Sequence, residues 1–360
     1  MIFSHLGRTL SIEIAHMGVK TICRNSIEKV QICRMEYRFA IVGCGRIAEK
    51  HAACMTRLGK LVAVCDPNFQ KAESLAANHQ ARAYDSLEAM LAAEPFIDLV
   101  SICSPNGLHA THAVTALEHN KHVLCEKPLA ISSQDALQMI DTAKRCDKKL
   151  LVVKSSRYTP CIRALQAAIT SHQLGKIYSF HLNAVWNRPD AYYENSWKGT
   201  LSLDGGTLFT QFSHYLDALL WLLGDVQAVH GFRTRASHQS IEVEDSGAIA
   251  LSMKSGAIGS LHYSVNAFAK NVGISLEIVA EKGTIQLGGA YMNEIVYQQP
   301  ILLSEDILSA YPASHQASNH EQIFADVINV LEGKENNMAD GDVALKTVVL
   351  IEKIYQEILL

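Results

Sequence analysis

The sequence predicts an α/β domain with a mostly parallel sheet, followed by an α+β domain built on a large, mainly antiparallel open sheet. Three observations carry this expectation. The chain has 360 residues, more than one hydrophobic core usually organises, since single domains stop growing near roughly 250 residues. Up to about residue 155, short β-rich apolar runs alternate with helical stretches, the pattern of parallel strands buried on both faces. Beyond Gln173 the runs lengthen and alternate apolar with polar residues, as strands covered on one face do.

The first domain is expected over 35–155, with apolar runs at 39–42, 61–65, 99–103, 122–125 and 150–153. Residues 1–34 do not follow the alternation, and Met35 immediately precedes the first convincing strand. They are expected to be an upstream extension that contributes little to the fold; loss of solubility or activity on starting the chain at Met35 would refute this. The second domain is expected over 156–339, with strands at 176–187, 228–236, 246–253, 257–265, 274–279 and 283–287. Lys254-Ser255-Gly256 and Glu281-Lys282-Gly283 fall between such runs as hairpin turns. Helices at about 319–331 and 342–358 close the chain, and the last, within 340–360, is expected to pack back on the first domain.

Composition narrows the partners. With 32 basic and 36 acidic residues and a net charge of −4, the chain lacks the electrostatic footprint of a nucleic-acid or anionic-membrane binder. A small molecule is the expected partner. No apolar run approaches the roughly 18 residues of a membrane span, and Glu13 and His16 interrupt the first twenty residues, so a cytoplasmic protein is expected. The nine cysteines include no Cys-x-x-Cys pair and read as small apolar residues in a reducing compartment; no metal site is expected.

Strand residues Phe39-Ala40-Ile41-Val42 run directly into Gly43-Cys44-Gly45-Arg46-Ile47-Ala48 and then a helical stretch. This matches the phosphate-binding turn of a Rossmann domain. Gly43 permits the tight turn, Gly45 lets backbone approach a pyrophosphate, and the helix start with Arg46 and Ile47 offers amide donors. Asp66 ends the second strand about 20 residues later, where a carboxylate accepts from ribose hydroxyls and repels a 2′-phosphate; NAD is favoured over NADP.

Two further strand ends carry Ser104-Pro105-Asn106-Gly107-Leu108-His109 and Cys125-Glu126-Lys127-Pro128-Leu129. Together with the glycine turn, these resemble the glucose-fructose oxidoreductase, inositol dehydrogenase and rhizopine-catabolism family, written Gfo/Idh/MocA, from about Arg38 to the C-terminus. The resemblance implies that Ser104, Pro105, Asn106, His109, Glu126 and Lys127 face the cofactor. Lys127 is the first proton-transfer candidate, because like charge and desolvation beside a nicotinamide lower a lysine's pKa. Pro128 raises the prospect of a cis Lys127–Pro128 bond.

A second constellation runs from Asp204-Gly205-Gly206 to His214 and Asp217. At helical spacing, Phe212, Leu216, Leu219, Leu220 and Leu223 form an apolar stripe, while Thr210, His214, Asp217 and Trp221 share the opposite face. The segment is similar to the family's Gly-Gly…His-x-x-Asp. That resemblance implies that His214 binds the reacting hydroxyl or moves its proton, with Asp217 orienting it from one turn away. Many family members carry Asp or Asn where this chain has Thr210. Threonine is no general base at neutral pH, so Lys127 is expected to carry more of the transfer.

The stretch Tyr193-Glu194-Asn195-Ser196-Trp197-Lys198-Gly199 is similar to a loop of bacterial nucleotide-sugar 3-dehydrogenases. The likeness implies a substrate such as a UDP-N-acetylhexosamine or its uronic acid. Tyr193 and Trp197 offer stacking faces, and Lys154, Arg157 and Lys198 could neutralise a diphosphate or carboxylate. Alternatives are an inositol or free-sugar dehydrogenase, an NAD-dependent glycosidase or lyase with transient oxidation, and a non-catalytic dinucleotide sensor. The broad second sheet is expected to bury its outer face in a homodimer or homotetramer.

Overall fold

A computed structural model describes residues 36–311 and 319–360 of the chain. The expectation for residues 1–34 lies outside the described residues.

The first part lays down β1 (Tyr37–Val42), α1 (Arg46–Leu58), β2 (Gly59–Cys65), α2 (Phe69–His79), β3 (Arg82–Tyr84), α3 (Leu87–Ala93), β4 (Leu99–Ile102), α4 (His109–Glu118), β5 (His122–Cys125), α5 (Ser133–Arg145) and β6 (Leu150–Val152). These strands pair in parallel in the order β6-β5-β4-β1-β2-β3. Phe39, Ile41, Leu99 and Leu124 are fully buried, as central parallel strands between two helical layers require. Asn68, Ser86 and Ser132 accept an amide at the starts of α2, α3 and α5, satisfying helix donors that would otherwise be orphaned. The strand order reverses between β1 and β4, so a crevice opens at their carboxyl ends, where open α/β sheets take ligands.

The second part contains α6 (Pro160–Thr170), β7 (Ile177–Val185), α7 (Ser213–Leu223), β8 (Val226–Thr234), β9 (Ser246–Met253), β10 (Ile258–Ser264), β11 (Gly273–Ala280), β12 (Gly283–Gly288), β13 (Glu294–Gln299), α8 (Glu305–Ser309) and α9 (Asn319–Leu331). The sheet order is β13-β12-β11-β7-β10-β9-β8, antiparallel throughout except for the parallel β7–β10 pair. Along β7, Phe180, Leu182 and Ala184 are buried while His181 is exposed, so one face packs and the other is open. The inner face shares one core with Ile162 and Leu165 of α6 and with Leu216 and Leu219 of α7. Strand β13 was not anticipated: a register shift opposite Gln286 and Leu287 leaves the consecutive residues Val296 and Tyr297 both exposed, which erases the period-two signal.

The chain ends in β14 (Ala339–Asp340) and α10 (Gly341–Glu357). β14 adds antiparallel to β6 as the seventh strand of the first sheet. α10 packs on α5 of that sheet's helical layer and also on α7 and β8. Its Tyr355 hydroxyl donates to Glu244 Oε1 at 2.6 Å and accepts Leu208 N at 3.0 Å, tying the last helix to the segment that leads into α7.

Candidate active site

The glycine turn is shaped for close approach. Gly43 sits at φ +88°, and a Cβ there would lie 2.6 Å from the Ser104 amide nitrogen. Gly45 is exposed, and a Cβ on it would meet nothing within 4 Å, so the turn presents open backbone to the crevice. No side chain caps the start of α1 at Arg46 and Ile47, which leaves its first amides available to an anion. Asp66 follows β2, with Oδ2 accepting from Cys44 N and Oδ1 from Asn68 N, both at 2.8 Å. These residues fit a dinucleotide pyrophosphate and its ribose.

The Ser104–His109 segment is more structural than expected. His109 is buried, with Nδ1 2.7 Å from the Pro128 carbonyl and Nε2 2.9 Å from the Ser104 carbonyl. Asn106 Nδ2 donates to the Asp204 carbonyl at 2.9 Å and to Thr210 Oγ1 at 2.6 Å, joining the two domains. Ser104 Oγ lies 2.9 Å from His112 Nδ1. Pro105 leads into the short turn Asn106–Leu108. His109 and the Asn106 amide group thus find protein partners, as buried polar groups must. Glu126 is likewise engaged within the protein, its Oε1 2.8 Å from His51 Nε2 and 3.7 Å from His320 Nε2.

Lys127 reaches from the end of β5 across to the second domain, where Nζ donates to the Thr210 carbonyl at 2.7 Å. The bond to Pro128 is cis. Thr210 lies in a π-helical turn, Leu208–Phe212, rather than in the regular helix the spacing implied. Its hydroxyl donates to Asp204 Oδ1. Burial pushes the Lys127 amine below its ordinary range; Glu126 and Asp204 oppose this, while Lys154 and Arg188 add to it.

His214 opens α7. Its Nε2 is 3.5 Å from Ser155 Oγ, and its Nδ1 is buried without a hydrogen-bond partner. Burial first, and the neighbouring Lys127 second, hold this imidazole well below its usual pKa, so it is neutral at neutral pH. A neutral ring with a free nitrogen can accept from or donate to a substrate hydroxyl.

Asp217 does not orient His214. Its carboxylate takes Arg157 Nε and Nη2, Lys154 Nζ at 3.2 Å and the Thr347 hydroxyl at 3.2 Å. Burial alone would raise this carboxyl, but Lys154 and Arg157 outweigh it and hold the group ionised. Lys154 and Arg157 thus pair with an internal anion. One turn of helix brings Asp217 to the buried side rather than to His214, because two desolvated cations there need a counter-charge.

The aromatic loop divides similarly. Tyr193 is buried with Ile241 and Val243, edge-on to Tyr192 and His238, and so holds the loop. Trp197 is half-buried, and its carbonyl accepts the Thr200 hydroxyl at 2.7 Å. Lys198 Nζ lies 4.1 Å from the centroid of the Tyr192 ring and feels Arg46 of the glycine turn, which puts it near the cofactor crevice. Sequence reasoning missed Arg188, which stacks over Trp186 and Tyr192 and donates to Gln211 Oε1 at 2.9 Å. It also missed Asp204, a buried carboxylate next to Lys127; its place before Gly205-Gly206 was the available signal.

A cavity of about 830 Å³ opens beside His214, lined among others by Ser155, Thr159, Trp186, Tyr291 and Asn319. Among the described residues no lysine or arginine lines it.

A dinucleotide turn at the switch point of a parallel sheet, a lysine that reaches from the end of β5 to the second domain, and a neutral histidine beside a cavity there define a nicotinamide-dependent oxidoreductase. The chain belongs to the Gfo/Idh/MocA family. Residues 37–154 match its oxidoreductase domain, an NAD-binding Rossmann fold, and 162–286 match its C-terminal domain. The cofactor is NAD. The WlbA dehydrogenase of Chromobacterium violaceum, solved with NADH and UDP-GlcNAcA, is 34% identical with a TM-score of 0.84, covering 91% of this chain and 94% of that one. The Bordetella pertussis WlbA dehydrogenase, with the same ligands, is 32% identical with a TM-score of 0.82, covering 90% and 96%. A D-glucoside 3-dehydrogenase of Escherichia coli is 36% identical over 52% of this chain, and the match spans about half, 54%, of that relative. Among the described residues no helix is long and apolar enough to cross a membrane.

Proposed function

We propose that the protein transfers hydride between a sugar CH–OH and NAD, and that the sugar is carried on a nucleotide, as a UDP-N-acetylhexosamine or its uronic acid, reacting at C3. The observation that carries the dehydrogenase reading is the Lys127 amine, held on the Thr210 carbonyl one helical turn before His214, next to the unpartnered His214 Nδ1 at the edge of a cavity. NAD, when bound, supplies the hydride acceptor. Gly43, Gly45, Arg46, Ile47 and Asp66 would hold it. His214 hydrogen-bonds the reacting hydroxyl, and Lys127, whose amine burial makes easier to deprotonate, takes the hydroxyl proton at Nζ. The walls supply orientation and exclude water.

Two observations support a substrate larger than a free hexose. The cavity of about 830 Å³ exceeds what one pyranose ring fills. Two similar solved structures, at 34% and 32% identity, carry UDP-GlcNAcA. A diphosphate there would be met by hydroxyls and amides, from Ser155, Ser156, Thr159 and Asn319, and by the start of α6, where Thr159 makes no side-chain cap. The uncharged lining residues Ser155, Thr159, Trp186 and Tyr291 favour a second reading, an uncharged glycoside.

The test is NADH formation with a panel of UDP-sugars, glucosides, free hexoses and inositols. Turnover of a UDP-N-acetylhexosamine or its uronate is expected. Activity confined to glucosides or polyols would overturn the nucleotide part and leave the dehydrogenase standing, whereas cleavage without net NADH would point to a glycosidase or lyase. We further propose that the open face of the second sheet pairs with a second copy. His230, Phe232, Ala248, Ala250 and Ile258 are exposed on it, and none carries a fixed charge.

A further inference from the structure

Glu126 directly follows β5, next to Lys127, and its carboxylate is held by three protein partners. Oε1 is 2.8 Å from His51 Nε2 and 3.7 Å from His320 Nε2, and Oε2 accepts Lys127 N at 3.1 Å. His51 is fully buried in α1, the helix that begins at the glycine turn. Its Nδ1 is 2.7 Å from Ser101 Oγ of β4, and its ring stands edge-on to Phe324 of α9 at 5.1 Å and to His320 at 5.7 Å. His320 is the second residue of α9; the first, Asn319, donates to the Ser155 carbonyl at 2.8 Å and lines the sugar cavity.

A carboxylate only accepts, so His51 Nε2 must carry a proton. The Ser101 hydroxyl is placed to satisfy the other ring nitrogen in either protonation state. The His51, Glu126 and His320 donor atoms lie within 4.8 Å of one another, but the 2.8 Å separation of two of them is that of a hydrogen bond.

We propose that Glu126 is a positioning residue: clamped by His51 and His320, it keeps a fixed negative charge beside Lys127 and so governs that lysine's proton exchange without touching sugar or nicotinamide. The inference rests on Lys127 being the proton carrier. Burial would raise the Glu126 carboxyl, yet the imidazoles of His320 and His51 outweigh it and hold the group well below the ordinary range. Facing Lys127 are Glu126 and Asp204, which favour the ammonium, and Lys154 and Arg188, which disfavour it together with burial. His214 beside it is neutral. Removing the Glu126 charge leaves Asp204 as the remaining anion of this set, so the lysine loses its proton at lower pH.

The test compares wild type with Glu126→Gln in the pH dependence of kcat for sugar oxidation, with NADH affinity and thermal unfolding measured in parallel. The limb set by the lysine should move down by about one to two pH units. Sugar reduction, which needs the ammonium, should weaken at neutral pH. A lower kcat with the limb unmoved would make Glu126 merely structural and overturn the proposal. A second measurement needs neither turnover nor a variant: the carboxyl carbon of Glu126, followed by NMR in wild-type protein, should show no titration between about pH 5 and pH 9. A carboxyl that titrates in that window would overturn the clamp even if no sugar is ever turned over. So would stoichiometric zinc in the purified protein, because a metal on these donors would replace the ion pairs.

Discussion

Arg157 closes Nε and Nη2 on the two carboxylate oxygens of Asp217, at 2.7 and 2.9 Å, while its guanidinium carbon stands 5.2 Å from the centroid of the Trp221 ring. Lys154 joins the same carboxylate. Asp217→Asn would therefore strand two buried cations and should destabilise the fold by about 3–5 kcal/mol, read by denaturant unfolding. Because the folded carboxyl is held below its unfolded value, its contribution is complete above about pH 3.9 and is lost as pH falls through the lowered value. The variant should lack that acid-dependent loss. A change within experimental error would mean the cluster is not a stability element.

Lys127→Met should leave NAD affinity near wild type and reduce turnover roughly 10²- to 10⁴-fold. Cofactor titration by fluorescence, paired with steady-state rates, separates the two effects. Near-wild-type turnover would remove Lys127 from proton transfer.

His214 is neutral at neutral pH, so His214→Gln, which keeps a neutral hydrogen-bonding group, should lose less activity than His214→Ala. The difference belongs mainly in kcat if the hydroxyl contact strengthens in the transition state. Equal losses in both variants would argue that the ring only fills space.

Asp66→Ser should weaken NAD binding by about tenfold to a hundredfold, the worth of hydrogen bonds to a charged group, and narrow the preference over NADP. Comparison of KM for the two dinucleotides decides it; an unchanged ratio would mean that Asp66 serves the backbone at Cys44 and Asn68 alone.

Phe232 is 82% exposed on β8. Phe232→Glu should shift the sedimentation coefficient toward a smaller species if the open sheet face joins copies. A species of the same size in both proteins would place any association elsewhere.

The glycine turn, the strand ends and the two-domain plan were legible because each is written in a short contiguous run. The cluster of His51, Glu126 and His320 was not, since its members come from two helices and the end of a strand, far apart in the chain. Asp217 misled for a related reason. Helical spacing correctly separates it from the apolar stripe, but spacing cannot reveal that Lys154 and Arg157 arrive from another element to claim it. The parallel β7–β10 pair was equally hidden, because alternation within a strand is blind to its neighbour's direction.

The return of β14 and α10 to the first sheet has a consequence for synthesis. Until residues 339–357 leave the ribosome, the edge of β6 lacks its partner and the apolar side of α5 lacks its cover. The dinucleotide domain, although encoded first, completes its packing last, and a fragment ending near residue 155 should emerge as a sticky, partly ordered species in need of chaperones.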